Sequence, residues 1–543
     1  MRRQTGAATA RPLRRLSADT RSRSAGVLPW IVLLLAVSVR LWWGGQKETL
    51  YGDELTSVCL AYDQPGWGAE TFPPDSVRTG REWREAFCTD DAGGLDGLAH
   101  DLRALHADNR DSSHASLYYM LLRCALTGTD VPEVHALVTR GLGLNLCLFL
   151  LSFAGLWRLL RQLYPGRNGA VALGLLLASL SPAAVSTTLL VREYQLAECV
   201  FAWWACWWLE SALRWRGGHG AARPGGMAWG AVLGALLLSS GYFNALFMAF
   251  TLAGLPLLAQ RGRRAAALSV CAGVGAASLL LSVGLYSGFF HFLTDIRTAE
   301  VAQKAGGAGA AANLLTSLQS GAVIAVRMLF TPVGAAAAVA WLTAWAASRR
   351  VRSRWRSLRP SGGASAAWLL GSAWAWAAVV LLLAPWKEPR YVAPAVPLLL
   401  LPLAAVLREA LFRRGVLATA AVAAAFLFPA LHGRDVRHVY RLADCPWPEA
   451  APRVLLYGPN ADERNTLLQL FPYLSDTQEA VAAEHVADIP RLAGTGARTV
   501  PVFGPRGCAE LLASPLCRGE SPFNDWTSRY DFALPAHAAP RQP

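Results

Sequence analysis

Long apolar runs are the feature of this sequence that most restricts its fold. Crossing about 30 Å of hydrocarbon takes roughly 20 consecutive apolar residues in a helix. Runs of about that length, with little charge, occur at residues 27–43, 265–290, 323–347 and 364–384. Of the 543 residues, 53% are hydrophobic and only 16% are charged, which is apolar for a soluble protein. The sequence therefore predicts a polytopic α-helical membrane protein.

The net charge of +14 indicates membrane orientation rather than a nucleic-acid partner. Cytoplasmic loops of membrane proteins carry an excess of Lys and Arg. The tail 1–26 has seven arginines and one acid, and no cleavage site of the A-x-A type follows the first apolar run. We therefore predict a cytoplasmic tail before a retained anchor. The arginine-rich gaps that we also place in the cytoplasm are 158–167, 214–223, 261–264, 349–359 and 408–414.

With these gaps fixed on one side, the apolar runs predict about eleven spans between residues 27 and 431. A first outer loop then covers 45–131, and a second large outer loop covers 291–320. The apolar segment 117–126 is too short to cross and is expected to lie along the membrane interface as a helix. The predicted spans are 27–43, 134–157, 169–187, 193–212, two short ones within 227–259, 265–290, 323–347, 364–384, 391–407 and 416–431.

From residue 432 onward the composition becomes polar and rich in proline. The segments 453–458 and 499–504 are typical of buried strands, and each precedes a helical pattern, at 462–471 and 508–513. We therefore predict a small extracytoplasmic α/β domain at 432–543.

Five of the ten cysteines fall in segments that we place outside the membrane, namely Cys59, Cys88, Cys445, Cys508 and Cys517. An oxidising compartment would permit disulfides such as Cys59–Cys88 and Cys508–Cys517. Zinc binding is the alternative, but the chain has neither a C-x-x-C motif nor a clustered Cys/His spacing.

The adjacent acids Asp53 and Glu54 follow the first span by about ten residues. They lie in an acidic stretch, because residues 45–115 contain fourteen acidic side chains against six basic ones. A carboxylate pair this close to a membrane surface favours a site at the lipid headgroups. The alternative is an ordinary solvated pair in a loop.

A second polar cluster, residues 108–114, ends the same loop and is followed by Tyr118 and Tyr119. Both ends of a loop return to the membrane surface, so we expect this cluster and Asp53 to face one cavity. His114 belongs to the cluster, with a surface histidine as the alternative interpretation.

Cations follow at two other places in the chain. Arg192, Glu193 and Tyr194 interrupt apolar sequence, where an ionisable side chain is costly. Either Arg192 and Glu193 neutralise each other at a helix end, or Arg192 binds a phosphate with Tyr194 beside it. Lys387 and Arg390 lie in a tight predicted outer turn. A lipid phosphate needs such cations, which neutralise it both when it is bound and when it leaves.

Four short motifs occur in a characteristic order. They are Gly52-Asp53-Glu54, then His114-Ala115-Ser116-Leu117-Tyr118-Tyr119, then Leu180-Ser181-Pro182 with Arg192-Glu193-Tyr194-Gln195-Leu196, and Arg390-Tyr391 with Pro394 and Pro397. In this order they resemble the GT-C superfamily of glycosyltransferases, particularly the family 39 protein O-mannosyltransferases and the aminoarabinose transferases. The likeness covers residues 27–407. The second motif is similar to a His-Pro-Pro-Leu-Tyr-Tyr segment of that group, with both prolines replaced.

The resemblance implies an inverting glycosyltransferase that moves a sugar, mannose-like or other, from a polyprenyl-phosphate donor to an acceptor protein, lipid or glycan. It implies an active site at the outer face of the membrane, which we assign to a bacterial inner (plasma) membrane. No cofactor is required on this hypothesis. A divalent metal on Asp53 is the alternative, although no D-x-D motif occurs there.

On this hypothesis Asp53 is the catalytic base, and partial burial would raise its pKa towards a useful range. Glu54 orients either the acceptor or Asp53. The donor phosphate is assigned to Arg192, with Lys387 or Arg390, and to Tyr194 beside it, while His114, Tyr118 and Tyr119 are assigned to support of the acceptor or the loop.

Two other classes of function stay open. A transporter or lipid flippase would need ionisable groups within spans near the midplane, where Arg123, Arg140 and Arg327 are the candidates. Most of the suggestive groups fall instead in the predicted outer segments. A non-enzymatic assembly protein would present the C-terminal domain and would not need Asp53.

Overall fold

Helices form most of the structure. The computed structural model describes residues 11–64, 75–88, 94–111, 114–128, 134–217, 224–294, 298–301, 310–329, 339, 343, 362–384, 387–402, 428, 432, 435–440, 447–460, 463, 470, 473–494, 498–523 and 527–534. In these ranges the α-helices are α1 (Arg11–Gly44), α2 (Gly52–Ala61), α3 (Gly80–Cys88), α4 (Gly94–Ala107), α5 (Leu117–Leu126), α6 (Val134–Leu163), α7 (Asn168–Leu180), α8 (Pro182–Leu189), α9 (Tyr194–Arg216), α10 (Pro224–Leu238), α11 (Asn244–Leu258), α12 (Arg264–Leu285), α13 (Ala310–Ile324), α14 (Ala364–Leu383), α15 (Ile489–Leu492) and α16 (Ala509–Ala513).

Four described helices are long and apolar enough to cross a membrane. They are the Val27–Gly44 part of α1, α6, the segment Arg261–Leu285 that contains α12, and α14. They match four of the predicted spans, at 27–43, 134–157, 265–290 and 364–384. The predicted span 169–187 forms two helices, α7 and α8, with a bend between them. Counted as one span, this pair is the fifth candidate.

The predicted total of eleven spans is not confirmed. The helices α10 and α11 have 15 residues each, fewer than the roughly 20 that cross a bilayer. The predicted span 193–212 forms α9, a continuous and mostly buried helix that is not among the four. The predicted span 391–407 starts in a 3-10 turn, Pro389–Ala395, and is helical to residue 402. The predicted spans 323–347 and 416–431 lie largely outside the described residues.

The bend between α7 and α8 is held by an arginine from α1. Proline at the first position of α8 cannot donate a backbone hydrogen bond, and the two helices meet at 54°. Arg40 is 3% exposed and donates to the carbonyls of Ser179 at 2.8 Å and Ala184 at 3.0 Å. It also donates to Thr188 Oγ1 at 2.8 Å. A buried cation is stable only when its N–H groups are hydrogen-bonded. The Arg40 guanidinium meets this requirement by donating to the polar groups of α7 and α8.

We expect Arg40→Met to destabilise the protein, because it leaves the buried carbonyl of Ser179 without this donor. Each buried unsatisfied group costs about 1–3 kcal/mol. The apparent melting temperature of the purified protein in detergent should fall clearly below that of wild type. The control is Arg161→Met, an exposed position on α6, which should change stability by less than about 0.5 kcal/mol. If Arg40→Met and Arg161→Met had the same melting temperature, the role assigned to Arg40 in the bend would be contradicted.

The described residues also form a six-stranded mixed sheet. Its strands are β1 (Val77–Thr79), β2 (Arg453–Tyr457), β3 (Glu479–Ala483), β4 (Thr499–Pro505), β5 (Cys517–Pro522) and β6 (Thr527–Ala533). The order is β1-β3-β2-β4-β6-β5, in which β3, β2 and β4 are parallel and the other pairings are antiparallel. The predicted strands 453–458 and 499–504 are confirmed as β2 and β4, and the predicted helix 508–513 as α16. The predicted helix 462–471 lies mostly outside the described residues.

The sheet is not built from the C-terminal segment alone. The strand β1 comes from the loop after α2 and pairs antiparallel with β3, where Val77 lies opposite Val481. Next to it, Trp83 of α3 is fully buried and donates to the carbonyl of Ala480 at 3.4 Å. The segment predicted as a separate domain, 432–543, therefore shares its sheet with the first long loop.

The two disulfides that the sequence would permit are absent among the cysteines that the structure describes. Cys59, Cys508 and Cys517 all have free thiols, so neither Cys59–Cys88 nor Cys508–Cys517 is formed. Cys59 is fully buried on α2, where it packs as a small apolar residue. Cys445 lies outside the described residues.

Candidate functional site

A cluster of charged side chains lies where three parts of the chain meet. Asp53 is in the first turn of α2, Arg192 lies between α8 and α9, and Arg390 is in the 3-10 turn after α14. Arg390 Nη1 donates to the Asp53 carboxylate. Arg192 Nη1 donates to the Asp53 backbone carbonyl at 3.0 Å. The structure thus brings the predicted acid together with two of the predicted cations.

Glu54 is buried behind this cluster and holds the start of α2 in place. Its carboxylate has no exposed surface and accepts hydrogen bonds from Lys47 Nζ at 2.5 Å and from the backbone N–H of Val191 at 2.7 Å. It also accepts from the backbone N–H of Tyr51 at 2.8 Å, which satisfies a free donor at the helix start. The burial of the Glu54 carboxylate does not favour its predicted role of orienting an acceptor. The alternative prediction, that it positions the neighbouring acid, fits these bonds.

His114 connects Arg192 to two further carboxylates. Its Nδ1 lies 2.7 Å from Asp111 Oδ2, and its Nε2 lies 3.1 Å from Arg192 Nη2 and 3.6 Å from Glu193 Oε1. Tyr119 donates to the same oxygen of Asp111 at 2.8 Å. None of the four sequence motifs includes Asp111, although this residue lies in the polar cluster at the end of the first loop.

The Asp53 carboxylate is a weaker base in this state than the sequence predicts. Burial by itself would raise its pKa, but the nearby guanidinium groups of Arg192 and Arg390 outweigh burial and lower the pKa of Asp53 below its ordinary value. The expectation of a raised pKa is therefore wrong for the site as it stands. The Asp53 side chain keeps 23% of its surface exposed, so other molecules can reach it.

Tyr118 and Tyr119 lie on α5, at the residues where a helix was predicted, and both are buried. Tyr118 donates to Asn145 Oδ1 on α6 at 3.1 Å. Asn145 Nδ2 in turn donates to the carbonyl of Leu190 at 2.7 Å. These contacts support the connection between α8 and α9, on which Arg192 lies.

The two predicted cations of the later turn have different surroundings. Lys387 Nζ donates to the carbonyls of Leu382 and Ala384, each at 3.0 Å, and so binds carbonyls at the end of α14. Arg390 contacts Asp53 instead. Of the two predicted alternatives for the phosphate ligand, Arg390 is the one in the cluster.

A narrow cleft opens beside the cluster. Its volume is about 20 Å³, enough for one water molecule, so a larger ligand enters only when side chains move. Four elements contribute to it: α8, the start of α9, the 3-10 turn after α14, and the segment 435–440. The lining residues are Ala183, Ser186, Thr187, Leu190, Tyr194, Glu388, Pro389, Arg390, Ala393, Arg437 and His438.

No sequence pattern predicts Arg437 and His438 as residues of the site. They follow the apolar part of the chain and belong to no recognised motif, and the only signal is the density of basic residues over 434–441. The backbone N–H of Arg437 donates to Ser186 Oγ at 2.8 Å, and the His438 carbonyl accepts from Lys47 Nζ at 3.1 Å. These long-range bonds hold the segment against α8.

Similarity to known proteins does not identify the site. No protein-family model matches the chain, and comparison with curated proteins finds no match either. Among the residues that the structure describes, no group of three or more His, Cys, Asp or Glu is arranged to hold a metal ion. The site must be interpreted from its own acid, guanidinium and imidazole groups.

We expect Glu54→Gln to destabilise the protein, because it leaves the buried Lys47 without its counter-charge. Removing one partner of a buried ion pair costs about 3–5 kcal/mol. The measurement is the apparent melting temperature in detergent, with Glu449→Gln as an exposed control. The double variant Lys47→Met/Glu54→Gln should lose less than the sum of the two single losses. A loss of stability in the double variant equal to the sum of the two single losses would show that Lys47 and Glu54 do not interact.

Proposed function

We propose that this chain is an inverting glycosyltransferase that moves a sugar from a polyprenyl-phosphate donor to an acceptor protein, lipid or glycan. The observation that carries the proposal is the contact between the Asp53 carboxylate and Arg390 beside a cleft. Such a transfer needs a base for the acceptor and a counter-charge for the departing phosphate, and this contact supplies both. The order of motifs that resembles the GT-C glycosyltransferases supports the same reaction.

Arg390 is the proposed phosphate ligand in place of Arg192. Arg390 lines the cleft, and its side chain is 15% exposed. Arg192 is 6% exposed, and its three nitrogens contact Asp53, His114 and Glu193. A guanidinium group binds phosphate through two parallel hydrogen bonds, which requires an accessible edge. We therefore propose that Arg192 does not bind the donor and instead stabilises the negative charge of the Asp53 carboxylate.

Donor binding would raise the basicity of Asp53 in this mechanism. A phosphate on Arg390 neutralises part of the positive charge that lowers the carboxylate pKa. The acceptor oxygen then forms a bond to the anomeric carbon while the bond from that carbon to the phosphate oxygen breaks. The acceptor proton passes to Asp53, and the polyprenyl phosphate leaves with the electron pair of the broken bond. One displacement inverts the configuration at the anomeric carbon.

The surroundings of the cleft suit a donor that is anchored in a membrane. It is lined by the start of α9 and by the 3-10 turn that follows α14, and several described helices are apolar and long enough to cross a bilayer. The positive-inside rule assigns the arginine-rich gaps at 158–167 and 261–264 to the cytoplasm. We therefore propose a multi-pass protein of a bacterial inner (plasma) membrane, with an extracytoplasmic site and no required cofactor.

A transporter or lipid flippase is the second candidate, and one observation favours it. Glu198 of α9 is 2% exposed and accepts hydrogen bonds from Ser152 at 3.0 Å and Gln195 at 3.3 Å. A buried ionisable group in the helical part of a membrane protein often marks a path for ions or substrate, and α9 packs among the described helices although it is not one of the four candidate spans. In that case Glu198→Gln would stop transport in proteoliposomes, whereas the proposed transferase would keep its sugar-transfer rate.

The proposed base is tested by Asp53→Asn, which keeps the shape of the side chain and removes the proton acceptor. We expect sugar transfer from a radiolabelled polyprenyl-phosphate donor to fall about 10²- to 10⁴-fold, while the protein stays folded. Asp96→Asn, an exposed acid on α4, is the matched control and should transfer at the wild-type rate. Wild-type transfer by Asp53→Asn at normal protein level would exclude this residue from the mechanism.

The proposed phosphate ligand is tested by Arg390→Gln. Losing a charge-assisted hydrogen bond of about 1.5–3 kcal/mol should weaken donor binding about tenfold or more. The dissociation constant for a prenyl phosphate in detergent is the measurement, and the exposed Arg261→Gln is the control. Donor affinity that is unchanged in Arg390→Gln would refute the assignment.

A further inference from the structure

The segment 435–440 forms one wall of the cleft and is attached to the chain just before α2. The Tyr440 carbonyl accepts from the backbone N–H groups of Glu48 at 2.9 Å and Thr49 at 3.2 Å. Its ring stacks on Tyr51 with the centroids 5.4 Å apart. Because Tyr51 directly precedes α2, the wall and the proposed catalytic base, Asp53, share one support.

The backbone at His438 is held in a conformation that side chains seldom adopt. Its φ is +69°, in the left-handed region that costs energy for a residue other than glycine. Three bonds stabilise it: the donation from Lys47 to its carbonyl, the bond between the adjacent Arg437 N–H and Ser186, and a 2.9 Å contact between His438 Nδ1 and the Tyr440 hydroxyl. Such strain is a frequent feature of functional sites.

Arg437 is the cation of the cleft that the described residues leave uncompensated. Arg390 contacts Asp53 and also lies 2.9 Å from Glu388 Oε2. The guanidinium group of Arg437 is exposed and forms neither an ion pair nor a hydrogen bond with any residue in the described ranges. Arg437 therefore offers an anion in the cleft a guanidinium group that is not paired with any described carboxylate.

His438 offers an uncharged partner beside that cation. Burial, reinforced by the nearby charges of Lys47, Arg390 and Arg437, lowers the pKa of His438 well below its ordinary value. The ring is therefore neutral at neutral pH. Since Nδ1 is engaged by Tyr440, Nε2 is the ring nitrogen that remains for a ligand.

We propose that Arg437 and His438 complete the donor site, in which Arg437 binds the phosphate together with Arg390 and His438 binds a hydroxyl group of the attached sugar. This inference rests on the proposed glycosyltransferase function and adds the residues that select the head group. Arg437 is free to take the phosphate while Arg390 is still paired with Asp53. A glycosyl phosphate presents an anion and a hydroxyl side by side, which matches the adjacent guanidinium and neutral imidazole.

Farnesyl phosphate is a prenyl phosphate without a sugar. Its binding tests the phosphate role of Arg437 separately from the sugar role of His438. Its dissociation constant would be measured on the full chain in detergent for wild type, Arg437→Gln, Arg437→Lys and His438→Asn. Asparagine is chosen at position 438 because it tolerates the left-handed backbone. The control is Arg506→Gln, an exposed arginine in the turn after β4. The melting temperature of each variant shows whether it is folded.

We expect Arg437→Gln to weaken farnesyl phosphate binding about tenfold, and Arg437→Lys to recover part of that loss. His438→Asn should bind farnesyl phosphate within about twofold of wild type, but should lower kcat/KM for transfer from a sugar-bearing prenyl phosphate about tenfold. Arg506→Gln should match wild type in both measurements.

The outcomes separate this inference from the proposed function. Tight binding by wild type and by Arg437→Gln alike would overturn the phosphate assignment, and an unchanged kcat/KM in His438→Asn would overturn the sugar assignment. In both cases the proposed function stands. A folded wild-type protein that neither binds farnesyl phosphate nor transfers sugar would overturn the proposed function and the inference together.

Discussion

The buried ion pair between Lys47 and Glu54 is the interaction on which the candidate site depends. Neither side chain has exposed surface, and a buried charge is tolerated only when it is paired and hydrogen-bonded. The surplus hydrogen bonds of the pair go to the backbone of Leu189, Val191 and His438. One satisfied pair thus fixes the start of α2, the connection before α9 and the segment 435–440 relative to one another.

The consequence is a candidate site assembled from distant parts of the chain, with the proposed base Asp53 outside the buried pair. Asp53 precedes Glu54 by one residue, so the bonds that bury Glu54 also place its neighbour against Arg390. The resulting contact gives Asp53 a lower pKa than burial alone would give it. A bound phosphate and the carboxylate would compete for the same guanidinium group. In the proposed mechanism, binding of a phosphate at Arg390 would therefore raise the basicity of Asp53.

Much of the architecture follows from local sequence. Apolar runs predict helices because a helix satisfies its own backbone polar groups in an apolar environment. The strands β2 and β4 are predicted for a similar reason, since a short run of apolar and β-branched residues buries well in the middle of a sheet. Neither pattern identifies a partner. The pairing of β1 with β3, which unites the first long loop with the C-terminal segment, has no counterpart in the local pattern.

The sequence by itself determined the helical, membrane-compatible class of the fold and nominated Asp53, Arg192, His114 and Arg390. Only the tertiary structure decided that Glu54 is buried, that Lys387 binds the end of a helix, and that Arg437 and His438 line the cleft. The physical reason is that the spacing of apolar residues along a segment indicates which parts of it are buried and which face solvent. The ionisation and role of a charged side chain depend instead on which charges lie within a few ångströms of it. For Asp53 those charges are Arg192 and Arg390, each more than a hundred positions away in the chain.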